Sequence, residues 1–133
     1  MNGATVKVYS KAYDGNKKLS ANFCVREFAC QDGSDPIFIS DKLVNILQAI
    51  RNHFGQPVNI NSGYRTANHN KAVGGSVYSQ HLFGTAADIA VQGVKPSDVA
   101  DYAEKLMPNT GGIGRYKDFT HIDCRTTKGR WNG

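Results

Sequence analysis

Asp88 stands in surroundings that do not favour it. It interrupts the apolar run Ala86-Ala87-Asp88-Ile89-Ala90-Val91, where an ionised carboxylate is strongly disfavoured unless a cation or good hydrogen bonds compensate it. His81 precedes it in Ser79-Gln80-His81-Leu82-Phe83-Gly84 and comes within reach if Gly84 lets the backbone fold back. A shared metal ion would account for both residues; the alternative is an aspartate that accepts backbone amides beside a surface histidine. A third candidate favours the metal. In Thr120-His121-Ile122-Asp123, strand alternation puts His121 and Asp123 on one face and Ile122 on the other. Two imidazoles and one carboxylate (His81, Asp88, His121) suit a borderline cation such as Zn2+, and three protein ligands leave a position open for water, the arrangement of catalytic zinc sites. Zinc lowers the pKa of its water toward about 7 and polarises a carbonyl. Asp123 is then the available general base, or else an acceptor that orients a ligating imidazole.

Arg65 follows the bend Ser62-Gly63-Tyr64 directly after a predicted strand. A guanidinium presents a rigid fork matched to a carboxylate, so Arg65 is a candidate anchor for a substrate with an anionic group near the scissile bond. The plain alternative is a surface arginine. Tyr64 and Ser79 join it as candidate substrate contacts, with His69, Asn70, Gly74, Gly75 and Ser76 as wall and turn residues. His53 falls in the last turn of a predicted helix, where an imidazole meets the negative end of the dipole, and is read as structural. Cys24, Cys30 and Cys124 are read as packed thiols, and Trp131 as a cover on the edge of the core.

The elements that must position these groups form an α+β pattern. Segment 6–9 alternates like a short strand, with a turn signal at Asp14-Gly15-Asn16, and segment 20–36 reads as loop around one apolar helical turn. Ser40 or Asp41 caps a helix whose apolar residues Leu43, Ile46, Leu47, Ile50 and Phe54 recur at helical spacing up to Gly55. Strands are predicted at 57–61 and 86–91, joined by a long polar loop, and a second helix from Pro96 to about Met107. Two late strands, 111–116 and 119–124, flank a turn at Lys117-Asp118. The expected architecture is a single domain over 1–133, with helices on a small, largely antiparallel sheet.

Composition narrows the function classes. The chain has 133 residues, 40% hydrophobic and 20% charged, enough for a core without cross-links, and its 3 cysteines match neither a zinc-knuckle spacing nor a disulfide framework. No segment approaches the roughly 20 apolar residues that span a bilayer. The opening residues have neither a basic nor an apolar targeting region, so synthesis in the cytoplasm without a signal peptide is expected. A net charge of +5 favours anionic surfaces. No nucleic-acid motif or contiguous basic stripe accompanies it, because Asp118 and Asp123 break up Arg115, Lys117, Arg125, Lys128 and Arg130.

Together, Ser62-Gly63-Tyr64-Arg65-Thr66, Asn70 with Gly74-Gly75, Ser79-x-His81-x-x-Gly84-x-Ala86-x-Asp88-Ile89, Gly112-x-Gly114-x-Tyr116 and His121-Ile122-Asp123-x-Arg125 resemble a known family. It is the zinc D-alanyl-D-alanine carboxypeptidases, M15-like peptidases of the hedgehog/DD-peptidase fold. The weaker pattern Phe23-x-Val25-x-Glu27-Phe28-x-Cys30 extends the similarity over nearly the whole chain. The resemblance implies an α+β domain with zinc held by His81, Asp88 and His121, and Arg65 on the substrate's carboxylate. It implies hydrolysis of bacterial peptidoglycan stem or cross-link peptides by a zinc-activated water. Some relatives have a second histidine where this chain has Asp123, or a glutamate where it has Asp118. The expected partners are cell-wall peptides, not nucleic acid and not a membrane interior, with the chain acting as a monomer, on the model of a phage or prophage lysis protein. The competing expectation is a catalytically silent wall-peptide-binding module that keeps fold and metal.

Overall fold

In the computed structural model, which describes residues 5–133, the two apolar runs that carry Asp88 and His121 become neighbouring antiparallel strands. The elements run β1 Val6–Ser10, α1 Lys11–Asp14, a 3-10 turn Val25–Phe28, β2 Pro36–Ser40, α2 Asp41–Phe54, β3 Val58–Ser62 and α3 Ala67–Ala72. A second 3-10 turn, Gln80–Phe83, leads to β4 Ala86–Val91, α4 Pro96–Leu106, β5 Gly112–Arg115, β6 Thr120–Asp123 and β7 Gly129–Asn132. Five strands form the main sheet in the order β3-β4-β6-β5-β7, antiparallel except for the β5–β7 pair, and β1 and β2 form a separate ribbon. The expected α+β, largely antiparallel architecture holds. The first four residues, on which the absence of a targeting segment partly rested, lie outside the described residues.

Strand alternation divides the sheet into two chemically different faces. On one, Ala87, Ile89 and Val91 of β4, Ile113 of β5 and Ile122 of β6 join Leu43, Val44, Leu47 and Ile50 of α2 and Val99, Ala100 and Ala103 of α4 in a continuous buried core. Ser40 caps α2 by accepting from the Leu43 amide, and α4 carries Pro96 in its first turn, as their sequences predict. The other face presents Asp88, His121 and Asp123. Register does the rest: Ser62 of β3 pairs with Asp88, Asp88 with His121, His121 with Gly114, and Gly114 with Trp131. One cross-strand row thus runs through the polar face.

Besides the short helix α1 and the 3-10 turn Gln80–Phe83, three elements were not foreseen. β2 fills the gap between the segment read as loop and the helix cap; its Ile37 and Ile39 are buried while Phe38 faces out, an alternation too short to stand out beside the helix signal that follows. α3 forms inside the polar loop because Thr66 caps it, accepting from the His69 amide. β7 is polar and pairs parallel to β5, so its place depends on a partner that only the folded sheet supplies.

Candidate metal centre

His81, Asp88 and His121 meet at one point. One ligand atom from each lies within 4.8 Å of the others, and all three residues are buried. His81 Nε2 is 3.3 Å and His121 Nδ1 3.0 Å from the same Asp88 oxygen, Oδ1. The other nitrogen of each ring is already committed. His81 Nδ1 lies 2.7 Å from the Gly63 carbonyl, which can only accept, so that nitrogen carries the proton. His121 Nε2 lies 2.8 Å from Asp123 Oδ2 and donates to it. In the neutral rings both tautomers are thereby set, and each turns its unprotonated nitrogen toward a carboxylate oxygen. Three acceptors facing one another repel unless a cation or a shared proton sits between them, and borderline N/O ligands of this kind suit zinc-like ions. The donor set fits a metal, as the sequence predicts, and His121 rather than Asp123 is the third member.

The two carboxylates are held ionised. Burial works against the charge of Asp88, but hydrogen bonds to His121 and His81 and the charges of those rings outweigh it, leaving its pKa well below the carboxylate range. Burial likewise opposes the charge on Asp123, and bonds to His121 and Arg125 overcome it. For His121 itself, burial disfavours protonation, yet Asp123 and Asp88 together raise its pKa above 6.5. A proton is therefore what a metal must displace here.

Asp123 corrects one expectation. Its side chain is completely buried, Oδ1 accepts from the Gly112 and Arg125 amides and from Arg125 Nε, and Oδ2 accepts from Arg125 Nη2 and His121 Nε2. No oxygen is left for a substrate proton, and the residue does not line the cleft. The geometry is that of the orienting alternative, not of a base. Gly112, its cross-strand partner on β5, makes this possible, because a Cβ there would run into the carboxylate.

The open side of the centre faces a cleft of about 660 Å³. Arg65 lies in its wall, with Nε on Ser62 Oγ at 3.1 Å, Nη1 on Asn70 Oδ1 at 3.2 Å and Nη2 on Asp88 Oδ2 at 3.4 Å. Of its five N–H groups, at least two remain to be shared with a ligand. Arg65 is neither free nor on the surface, and it braces Asp88 as well as facing the cleft. Asn70, read only as a wall residue, is the brace behind it, buried and donating to Ser76 O at 2.8 Å. Ser79 lines the cleft, but its hydroxyl accepts the His81 amide and so caps the 3-10 turn that carries that ligand. Gly84 ends the same turn at φ +73°, the left-handed bend expected to return the chain to β4.

Tyr64 is a second correction. Its ring packs on Phe38 at 5.2 Å, at the margin of the core, and does not line the cleft. Trp131 is a third, in the opposite sense. It lines the cleft, 5.0 Å from the His121 ring, and donates from Nε1 to Tyr116 Oη at 2.9 Å. The indole reaches His121 across Gly114, whose Cβ would stand only 2.6 Å from Trp131 Nε1. The Arg125 guanidinium lies over the indole at 5.2 Å, and Tyr116 stacks on Phe119 at 4.4 Å. The period-two spacing Gly112-x-Gly114-x-Tyr116 is a signal that could have revealed this wall: the two glycines pair with Asp123 and His121 of the polar face and leave it open, and Tyr116 follows in the same alternation. His53 stacks on Tyr102 at 3.8 Å, Cys30 and Cys124 are buried, and Cys24 is half-buried.

Comparison with known proteins agrees with this geometry. A zinc D-Ala-D-Ala carboxypeptidase from Streptomyces albus G is 43% identical over 83 residues, covering 57% of this chain. The match takes in 31% of that enzyme, so the chain corresponds to less than a third of the relative's length. The model of the peptidase M15 family matches residues 18–123, a span that includes the cleft walls up to Phe119 and all three converging ligands. The chain belongs to the peptidase M15 family.

Proposed function

We propose that this protein is a zinc-dependent peptidase that hydrolyses peptide bonds in bacterial peptidoglycan, with D-alanyl-D-alanine termini or cross-links as the bond class. The observation that carries the reading is the trio of lone pairs on His81 Nε2, Asp88 Oδ1 and His121 Nδ1, bared by hydrogen bonds behind each ring and opening onto a cleft. A zinc ion bound there supplies a more acidic water and an electrophile for the scissile carbonyl.

The chain's own residues do the remaining work. Asp123 is a positioning residue that keeps the His121 proton on Nε2, assisted by Arg125. Arg65, with donors to spare and its fork fixed by Ser62 and Asn70, takes the carboxylate of a peptide's end. Among the described residues, the cleft offers a substrate two arginines, Arg65 and Arg125, against one acidic lining residue, Asp88. That charge pattern suits an anionic wall peptide. Action at the cell wall is part of the same proposal. Among the described residues, no helix is long and apolar enough to cross a membrane.

The test is metal analysis of the purified protein combined with mass spectrometry of defined muropeptides, on wild type, His81→Ala and Asp123→Asn. We expect about one zinc per chain and metal-dependent cleavage. His81→Ala should lose both, and Asp123→Asn should bind zinc about 10- to 100-fold more weakly, the usual cost of losing a partner behind a ligand. Zinc with tight peptide binding and no product would instead identify a silent wall-binding module.

A further inference from the structure

Tyr116 holds a hydrogen-bond donor that the protein does not use. Its oxygen accepts from Trp131 Nε1 at 2.9 Å, and among the described residues no acceptor is paired with its own proton. A phenol has one proton to give, and accepting a hydrogen bond makes that proton a stronger donor. The ring is fixed on both sides of this bond. Phe119 stacks on it with the planes within 10°, and the Tyr116 amide closes the turn by donating to Phe119 O. The indole that orients the hydroxyl is itself seated on Gly114 and packed against His121 and Arg125. Tyr116 follows β5 on the same face as Gly112 and Gly114 and lines the cleft with His81, Asp88 and His121.

The protein therefore presents a fixed phenol donor in the wall of the cleft that also holds Arg65, joined to a ligand ring by a single indole. Arg65 is committed to Asp88, Ser62 and Asn70 and, on the functional reading above, to the substrate's carboxylate. Hydrolysis has a second anionic demand. When water adds to the scissile carbonyl, the C=O π pair moves onto oxygen, and the charge there is relieved only when the carbon–nitrogen bond breaks. A fixed donor aimed at that oxygen lowers the barrier without reorganising.

We propose that Tyr116 is a catalytic residue of this site, its hydroxyl donating to the carbonyl oxygen as charge develops there, with Trp131 as the positioning residue that aims it. The proton remains on the tyrosine throughout, and the proton the leaving amine needs comes from the attacking water. The inference rests on the peptidase reading.

The experiment compares wild type, Tyr116→Phe and Trp131→Phe for zinc content, kcat and KM on an acyl-D-Ala-D-Ala peptide, and affinity for a phosphinate analogue of that peptide. The phosphinate carries the tetrahedral oxyanion; a plain product carboxylate serves as its control. Tyr116→Phe should keep zinc, lower kcat by about 10²- to 10³-fold with KM changed little, and weaken phosphinate binding by a similar factor while leaving the control unchanged. Trp131→Phe, which keeps the donor and loses its aim, should show a smaller loss of the same kind. Full activity in Tyr116→Phe overturns the proposal. So does a loss that tracks zinc content or affects both ligands equally, since that marks a merely structural ring. If wild type cleaves no peptide, the peptidase reading fails separately, and equal phosphinate affinities in wild type and Tyr116→Phe would then reject the tyrosine's role as well.

Discussion

The metal centre is assembled from two regions built on different principles. Asp88 and His121 come from adjacent strands and are direct cross-strand partners, so sheet register alone sets their separation. His81 comes from a 3-10 turn in an irregular connection and is aimed by one hydrogen bond to a backbone carbonyl. Behind His121 stands a fully buried carboxylate with an arginine clamp; behind His81 stands the neutral Gly63 carbonyl. The sheet half therefore joins site chemistry to global stability, whereas the loop half can be adjusted with little effect on the core. The contrast shows how a small domain keeps a rigid pair of ligands while one side of its cleft remains open to variation.

Truncation of one side chain from each half should separate them most sharply. Asp123→Ala leaves Arg125 and His121 without their shared acceptor in a buried setting, and should cost about 3–5 kcal/mol in a denaturant melt of the metal-free protein. His81→Ala should abolish metal binding yet cost less, about 1–3 kcal/mol in the same melt, since it loses the hydrogen bond to the Gly63 carbonyl and one contact to Asp88, which keeps Arg65 and His121 as partners. Equal losses would erase the distinction.

A smaller effect sharpens the loop side. A Cβ at Gly84, which sits at φ +73°, would also run into the Phe38 carbonyl. Gly84→Ala should destabilise the chain by about 1–2 kcal/mol through backbone strain, and should weaken zinc binding because the displaced turn carries His81. A variant with unchanged calorimetric zinc affinity would show that the turn does not set the ligand's position.

The smallest expected effect is a pH dependence belonging to the sheet half. The His121 pKa is raised above 6.5, so its contribution to the metal-free protein is complete below that pH and is lost as pH rises through the folded value. Asp88 and Asp123 are depressed below 3.8, so theirs is present above that pH and is lost as pH falls through their folded values. The metal-free Tm should therefore be higher at pH 5.5 than at pH 8.5. Zinc takes the place of the proton and should remove that alkaline fall, while zinc affinity itself weakens toward acid pH. Identical profiles with and without zinc would contradict the assignment of His121 as a ligand.

The main elements were legible where local chemistry dictates them. α2 announces itself by its Ser40 cap and apolar spacing, and α4 by Pro96 in its first turn. The ligand candidates were legible because a carboxylate in an apolar strand demands compensation. Asp123 was assigned to the correct face, but its role was not readable, because that depended on Arg125 folding back onto it and on Gly112 leaving room. Tyr64 was misplaced because the partner ring, Phe38, belongs to a strand that the sequence pattern did not reveal. Trp131 was misread for the same kind of reason: β7 has no apolar alternation of its own.

By itself, then, the sequence determined the α+β pattern, the boundaries of the long helices and the residue types able to hold a divalent ion, because periodicity, capping and the cost of burying charge all act over a few residues. Tertiary structure alone decided which imidazole nitrogen is bare, which aspartate orients rather than reacts, and which aromatic rings wall the cleft. Those depend on cross-strand register and on hydrogen bonds between residues far apart in the chain, and neither can be counted off along a single segment.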